Sequence, residues 1–128
     1  MGLRAYEVNS LNGNALRLKL YWTALEKPPL DYSSFAHVLR APGQPDTPLL
    51  VQADQVPGIQ IGYPPSRWAK GDLVLDERMI LLSSPLPEGD YVIRLGVYNY
   101  TSGARLYVQP NSVSDDYVLL KFTVPHVN

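Results

Sequence analysis

The feature that most restricts this chain is a polarity that reverses at every residue along several stretches. Leu16, Leu18, Leu20 and Trp22 alternate with Arg17, Lys19 and Tyr21. Tyr91, Ile93, Leu95 and Val97 alternate with Val92, Arg94, Gly96 and Tyr98, and Val118, Leu120, Phe122 and Val124 with Leu119, Lys121 and Thr123. Successive side chains of a strand point to opposite faces, so a period of two marks a strand with one buried face. Twelve prolines and nine glycines punctuate the 128 residues. Each interior proline costs a helix about 3 kcal/mol, which argues against long helices. The pattern predicts about eight strands, over 3–8, 15–25, 32–40, 49–53, 72–83, 91–98, 105–109 and 117–124. Leu16, Leu18, Leu20, Trp22, Phe35, Tyr91, Ile93, Leu95, Leu120 and Phe122 are the expected core. Short strands without helices pack as two antiparallel sheets or a barrel. The expectation is an all-β antiparallel β-sandwich, Ig-like or jelly-roll-like.

Turn chemistry separates the strands. Asn12-Gly13 is a hairpin signal, and Pro42-Gly43, Glu88-Gly89 and Ser102-Gly103 supply the fixed or positive φ angles of reversals. Segment 55–71 breaks the pattern: it holds Pro57, Pro64 and Pro65, yet also Ile59, Ile61, Tyr63 and Trp68. So apolar a loop is expected to pack back on the sandwich. The length suits one domain over residues 1–128, and no apolar run approaches the roughly 20 residues of a membrane helix.

Composition removes several chemistries. Eleven basic and twelve acidic residues give a net charge of −1, so no basic surface for nucleic acid is expected. Cysteine is absent, which excludes thiol catalysis, thiolate metal sites and disulfides. No Gly-x-Ser-x-Gly elbow, dinucleotide fingerprint or phosphate loop is present, and no cofactor is expected. The two histidines are His37, within a strand, and His126, beside the chain end. Residues 111–116 offer oxygen ligands but lack calcium-loop spacing. Asp54, Asp76 and Glu77 are the carboxylates that a small stand-alone hydrolase would need to converge. The favoured expectation is a non-catalytic domain without metal.

Nine tyrosines and two tryptophans outnumber two phenylalanines. Tyr98, Tyr100 and Tyr107 cluster about one hairpin, with Arg94 and Arg105 sharing strand parity with its tyrosines. Flat rings stack on sugar C–H faces and arginine donates several hydrogen bonds, so Trp68, Arg94, Tyr98, Tyr100, Arg105 and Tyr107 are the candidate ligand-binding residues. The competing readings are cross-strand Tyr/Arg packing on a bare sheet and, for Trp68, an anchor of its loop.

The ordered segments Leu18-Lys19-Leu20-Tyr21-Trp22, Asp31-Tyr32-Ser33-Ser34-Phe35-Ala36-His37-Val38-Leu39, Gln52-Ala53-Asp54, Gly62-Tyr63-Pro64-Pro65-Ser66-Arg67-Trp68, Gly71-Asp72-Leu73-Val74-Leu75-Asp76, Pro87-Glu88-Gly89-Asp90-Tyr91, Gly96-Val97-Tyr98-Asn99 and Gly103-Ala104-Arg105-Leu106 together resemble a known pattern. It is that of the C-terminal extracytoplasmic β-sandwich domain of bacterial multi-spanning membrane glycosyltransferases, the protein-mannosyltransferase and aminoarabinose-transferase-like group. The resemblance implies an accessory domain on the extracytoplasmic face of the bacterial membrane, packing on the membrane portion of its parent. Sugar transfer from a polyprenyl-phosphate sugar would reside in that membrane portion, and no catalytic residue carries over to this domain. The alternative within the same resemblance is a module that binds glycan or lipid-linked sugar.

Overall fold

The computed structural model describes residues 1–11, 14–106, 108 and 117–125. The Asn12-Gly13 turn, Tyr107, the 111–116 connection and His126 lie outside the described residues. Among the described residues the fold is all-β, with eight strands in two antiparallel sheets. Strands β1 (Gly2–Leu11), β2 (Ala15–Thr23) and β5 (Leu73–Leu81) form a sheet in the order β1-β2-β5. The second sheet holds β4 (Val51–Gln52), β3 (Ser33–Arg40), β6 (Gly89–Tyr98), β7 (Arg105–Leu106) and β8 (Tyr117–Val124). β3 lies between β4 and β6. On the far edge of β6, β8 pairs residues 89–96 and β7 pairs Val97 and Tyr98. Each predicted segment overlaps one strand; β4 is only two residues long, and the described part of 105–109 holds two strand residues, Arg105 and Leu106.

The alternation becomes two faces. Leu16, Leu18, Leu20 and Trp22 of β2, Val74 and Ile80 of β5, Ala36 and Val38 of β3, Ile93, Leu95 and Val97 of β6, and Val118 and Leu120 of β8 form one buried cluster. Each fully buried aliphatic side chain contributes about 1.5–3 kcal/mol, so this interior is the main force holding the sheets together. Two expected core residues differ. Phe122 is only partly buried, stacking on Tyr91 with ring centroids 5.6 Å apart. Phe35 is buried, but outside the shared interior: it faces outward from β3, opposite Gly96. A Cβ on Gly96 would lie 2.2 Å from the Phe35 ring, so the glycine is the floor on which that ring lies.

The long loop packs back through Trp68 and Tyr63, whereas Ile59 and Ile61 stay exposed. It forms two single-turn 3-10 helices, Ile59–Ile61 and Pro65–Arg67. Gly58 takes φ 80°, and a Cβ there would strike the Tyr63 carbonyl oxygen at 2.3 Å. Trp68 is fully buried and its Nε1 donates to the Tyr63 carbonyl at 2.7 Å. The Ser66 N–H donates to Asp31 at 2.7 Å, and Lys27 Nζ to the Ser66 carbonyl at 3.0 Å. Asp72 accepts the Tyr63 hydroxyl proton and the Ala69 N–H. These bonds hold Asp72 below the usual carboxylate range, the Tyr63 bond contributing most, and push the Tyr63 hydroxyl up.

Candidate binding face

The register of β3, β6 and β7 decides which candidate residues meet. His37 lies opposite Arg94, Phe35 opposite Gly96, Ser33 opposite Tyr98, and Tyr98 opposite Arg105. These residues share the outer face of the five-stranded sheet. Arg105 places its guanidinium 4.8 Å from the Phe35 ring centroid, and the His37 ring lies 4.9 Å from that of Phe35. Tyr98 tilts against Phe35 at 6.4 Å, and its hydroxyl donates to Asp54 at 3.3 Å. Arg94 donates to the Gln44 carbonyl at 2.9 Å and sits 5.2 Å from the Tyr117 ring centroid. The face is a layer of rings and guanidiniums on a second apolar surface, with Asp54 at its edge.

Burial lowers the pKa of His37; Asp54 opposes the change, and Arg94 and Arg105 add to it. The imidazole is therefore biased towards its neutral form, able to donate from one nitrogen and accept at the other. Burial, and then the charge of Asp54, raise the pKa of Tyr98, so its hydroxyl keeps its proton.

Of the six candidate residues, Arg94, Tyr98 and Arg105 share this face. Tyr100 stands at the tip of the β6–β7 hairpin with 78% of its surface exposed. In that turn Asn99 Oδ1 accepts the N–H groups of Thr101 and Ser102, and Gly103 takes φ 77°. Tyr107 lies outside the described residues. Trp68 must be removed from the set: it is enclosed in the core, and the reach of its loop into the sandwich leaves no ring face for a ligand.

The carboxylates do not converge. Asp54 serves Tyr98. Glu77 lies on the outer face of β5, near Arg17 at 3.8 Å and Lys19 at 4.0 Å. Asp76 faces the opposite way, into the sandwich. Among the described residues no group of three or more His, Asp or Glu side chains is placed to hold a metal ion. Nor is any helix there long and apolar enough to cross a membrane.

Sequence reasoning named Asp76 as a carboxylate but missed the buried pair it forms with Arg78. Asp76 and Arg78 are both buried and joined at 2.7 Å. Asp76 also accepts from Trp22 Nε1 at 3.0 Å and Gln55 Nε2 at 2.8 Å. Arg78 donates to the carbonyls of Ala53 at 2.9 Å and Ser34 at 3.2 Å. The network ties β5 and β2 to the opposite sheet at β3 and to the chain just after β4. Its signal was present in the parity: Asp76 and Arg78 alternate in step with Val74 and Ile80, so a strand that buries the last two must bury the charges as well.

No protein-family model and no curated protein matches this chain.

Proposed function

We propose that this chain is a non-catalytic accessory β-sandwich that works by packing against another surface. The observation that carries this reading is the outward side of β5. Leu73 near one end and Met79 and Leu81 at the other are 65%, 48% and 74% exposed, on an outward side they share with Leu75 and the ion-paired Glu77; large apolar side chains left exposed along one strand are the kind of surface that marks an interaction site. The partner rests on the sequence resemblance alone: the membrane portion of a polyprenyl-phosphate-sugar-dependent glycosyltransferase, with this domain on the extracytoplasmic face. The test is a photo-crosslinking residue at Leu73 in the full-length gene product, irradiated in its own membranes. Adducts within the membrane portion of the same polypeptide are expected. No adduct, or a gene product without spanning segments, overturns the reading.

A second reading is favoured by the hairpin. Tyr100 is exposed beside Tyr98, whose hydroxyl is oriented by Asp54, with Arg105 across the strand pair. This arrangement suits weak stacking on a glycan or lipid-linked sugar, about 0.5–1.5 kcal/mol per ring. Amide NMR shifts of Tyr98 and Tyr100 during titration with glycans and polyprenyl-phosphate sugars test it; unmoved amides at millimolar ligand remove it.

A further inference from the structure

We infer that the C-terminal half of β5 is a strand-acceptor edge, built to take an extended polypeptide segment that carries a carboxylate. The inference rests on the packing-module reading and names the chemistry of the partner.

Even-numbered residues of β5 direct their main chain towards β2: the Leu82 N–H donates to the Asn14 carbonyl, and the Asp72 carbonyl accepts from Ala24. Odd-numbered residues therefore direct N–H and C=O groups to the open edge. One of these, the Glu77 carbonyl, accepts Gln55 Nε2 at 3.2 Å. Nearby, the packed loop crosses Val74, with the Cβ position of Gly58 3.1 Å from that side chain. Among the described residues no main-chain bond outside the β2 pairing involves Met79 or Leu81.

Natural edges are guarded by lysine, proline, bulges or covering segments. The opposite edge of this sheet shows such devices: β1 has a bulge between Leu3 and Ala5, with exposed Arg4 within it, and its Tyr6 hydroxyl donates to the Lys121 carbonyl at 2.8 Å. On β5 the outward set is Leu73, Leu75, Glu77, Met79 and Leu81. Its one charge, Glu77, already faces Arg17 and Lys19.

Beside this edge lies a groove of about 370 Å³, where the chain crosses from β5 to β6. Leu50, Val51, Leu81, Leu82 and Leu86 line it, together with Arg40. The Arg40 guanidinium sits 5.5 Å from the Tyr91 ring centroid and has no carboxylate partner among the described residues. Unpaired main-chain donors and acceptors call for another main chain. The apolar walls call for its alternate side chains, and the lone cation for an acid among them. Strand addition supplies all three.

The test uses the purified chain and two capped heptapeptides of alternating valine and threonine, one with a central glutamate and one with lysine there. With the glutamate peptide, the amides of Met79 and Leu81 should shift and gain protection from hydrogen exchange. The lysine peptide, or Arg40→Gln, should bind about three- to fivefold more weakly. Met79→Pro removes an edge-facing N–H without touching the β2 ladder, and should abolish binding while leaving the fold's spectrum intact. If that variant fails to fold, Arg40→Gln with the two peptides still decides. No shift at Met79 and Leu81 at millimolar peptide overturns the inference, as does equal binding of both peptides. So does self-association through β5, which would make a second copy the occupant. Octanoate shifting the Leu50 and Leu82 methyls without peptide binding would make the groove a small-amphiphile site instead. The crosslinking at Leu73 does not depend on this titration, so either can fail alone.

Discussion

β5 and β6 are long strands near one another in sequence, and they treat their faces in opposite ways. β6 lies inside its sheet and is covered on both sides: Ile93, Leu95 and Val97 enter the common interior, while Val92 on the other face is buried beneath Gly43. β5 lies at an edge. It sends Asp76 and Arg78 inward and leaves Leu73, Met79 and Leu81 outside. The contrast separates burial from apolarity. An inward charge is tolerated when its bonds are completed by neighbours fixed in both sheets, while the outward leucines of an edge strand stay outside the packed interior.

The largest effect should come from breaking the inverted face of β5. Asp76→Ala leaves Arg78 buried without its counter-charge and the Trp22 indole N–H without its acceptor. It should cost about 3–5 kcal/mol in denaturant unfolding. Replacing both charges by apolar residues of similar volume should recover much of that loss, because desolvation of the pair offsets much of its attraction; a double variant no more stable than Asp76→Ala would show that the remaining hydrogen bonds dominate.

On β6 the sharper probe is Gly96→Ala. The new methyl meets the Phe35 ring, so about 1–3 kcal/mol of destabilisation is expected. Combining it with Phe35→Ala should show strong coupling in a double-mutant cycle, since one ring and one methyl contest the same space. Additive costs would contradict the described packing of Phe35. By comparison Leu81→Lys, on the outward side of β5, should change stability by no more than about 0.5 kcal/mol. Thermal unfolding checks this, and a larger loss would mean that Leu81 already has an intramolecular partner.

The smallest effect concerns the outer face of β3 and β6. Because the pKa of His37 is lowered on folding, the unfolded chain binds the proton more readily. Stability present above the ordinary imidazole value of 6.5 is then lost as pH falls below it towards the folded value. His37→Gln should flatten that part of the pH profile, measured as unfolding free energy against pH. An unchanged slope would place its cause elsewhere.

Much of the architecture was legible because alternation is a local property. Leu16 to Trp22 and Tyr91 to Val97 announce their faces without knowledge of a partner strand. The binding face was legible only in part. Arg94, Tyr98 and Arg105 come together because parity on one hairpin is also local. Trp68 could not be assigned, since its position depends on where a loop with two 3-10 turns comes to rest. Phe35 looked like interior from its residue type, but the floor under its ring is Gly96, 61 residues further along the chain.

The sequence by itself determined the strand period, the turns and the absence of thiol chemistry, because each follows from residue type and spacing over a few positions. Tertiary structure alone decided which strand is an edge, what completes the bonds of Asp76 and Arg78, and where the packed loop meets β5. Those depend on pairing between segments far apart in the chain, where the choice among partners is made by the packing of the whole sandwich and not by any one stretch of it.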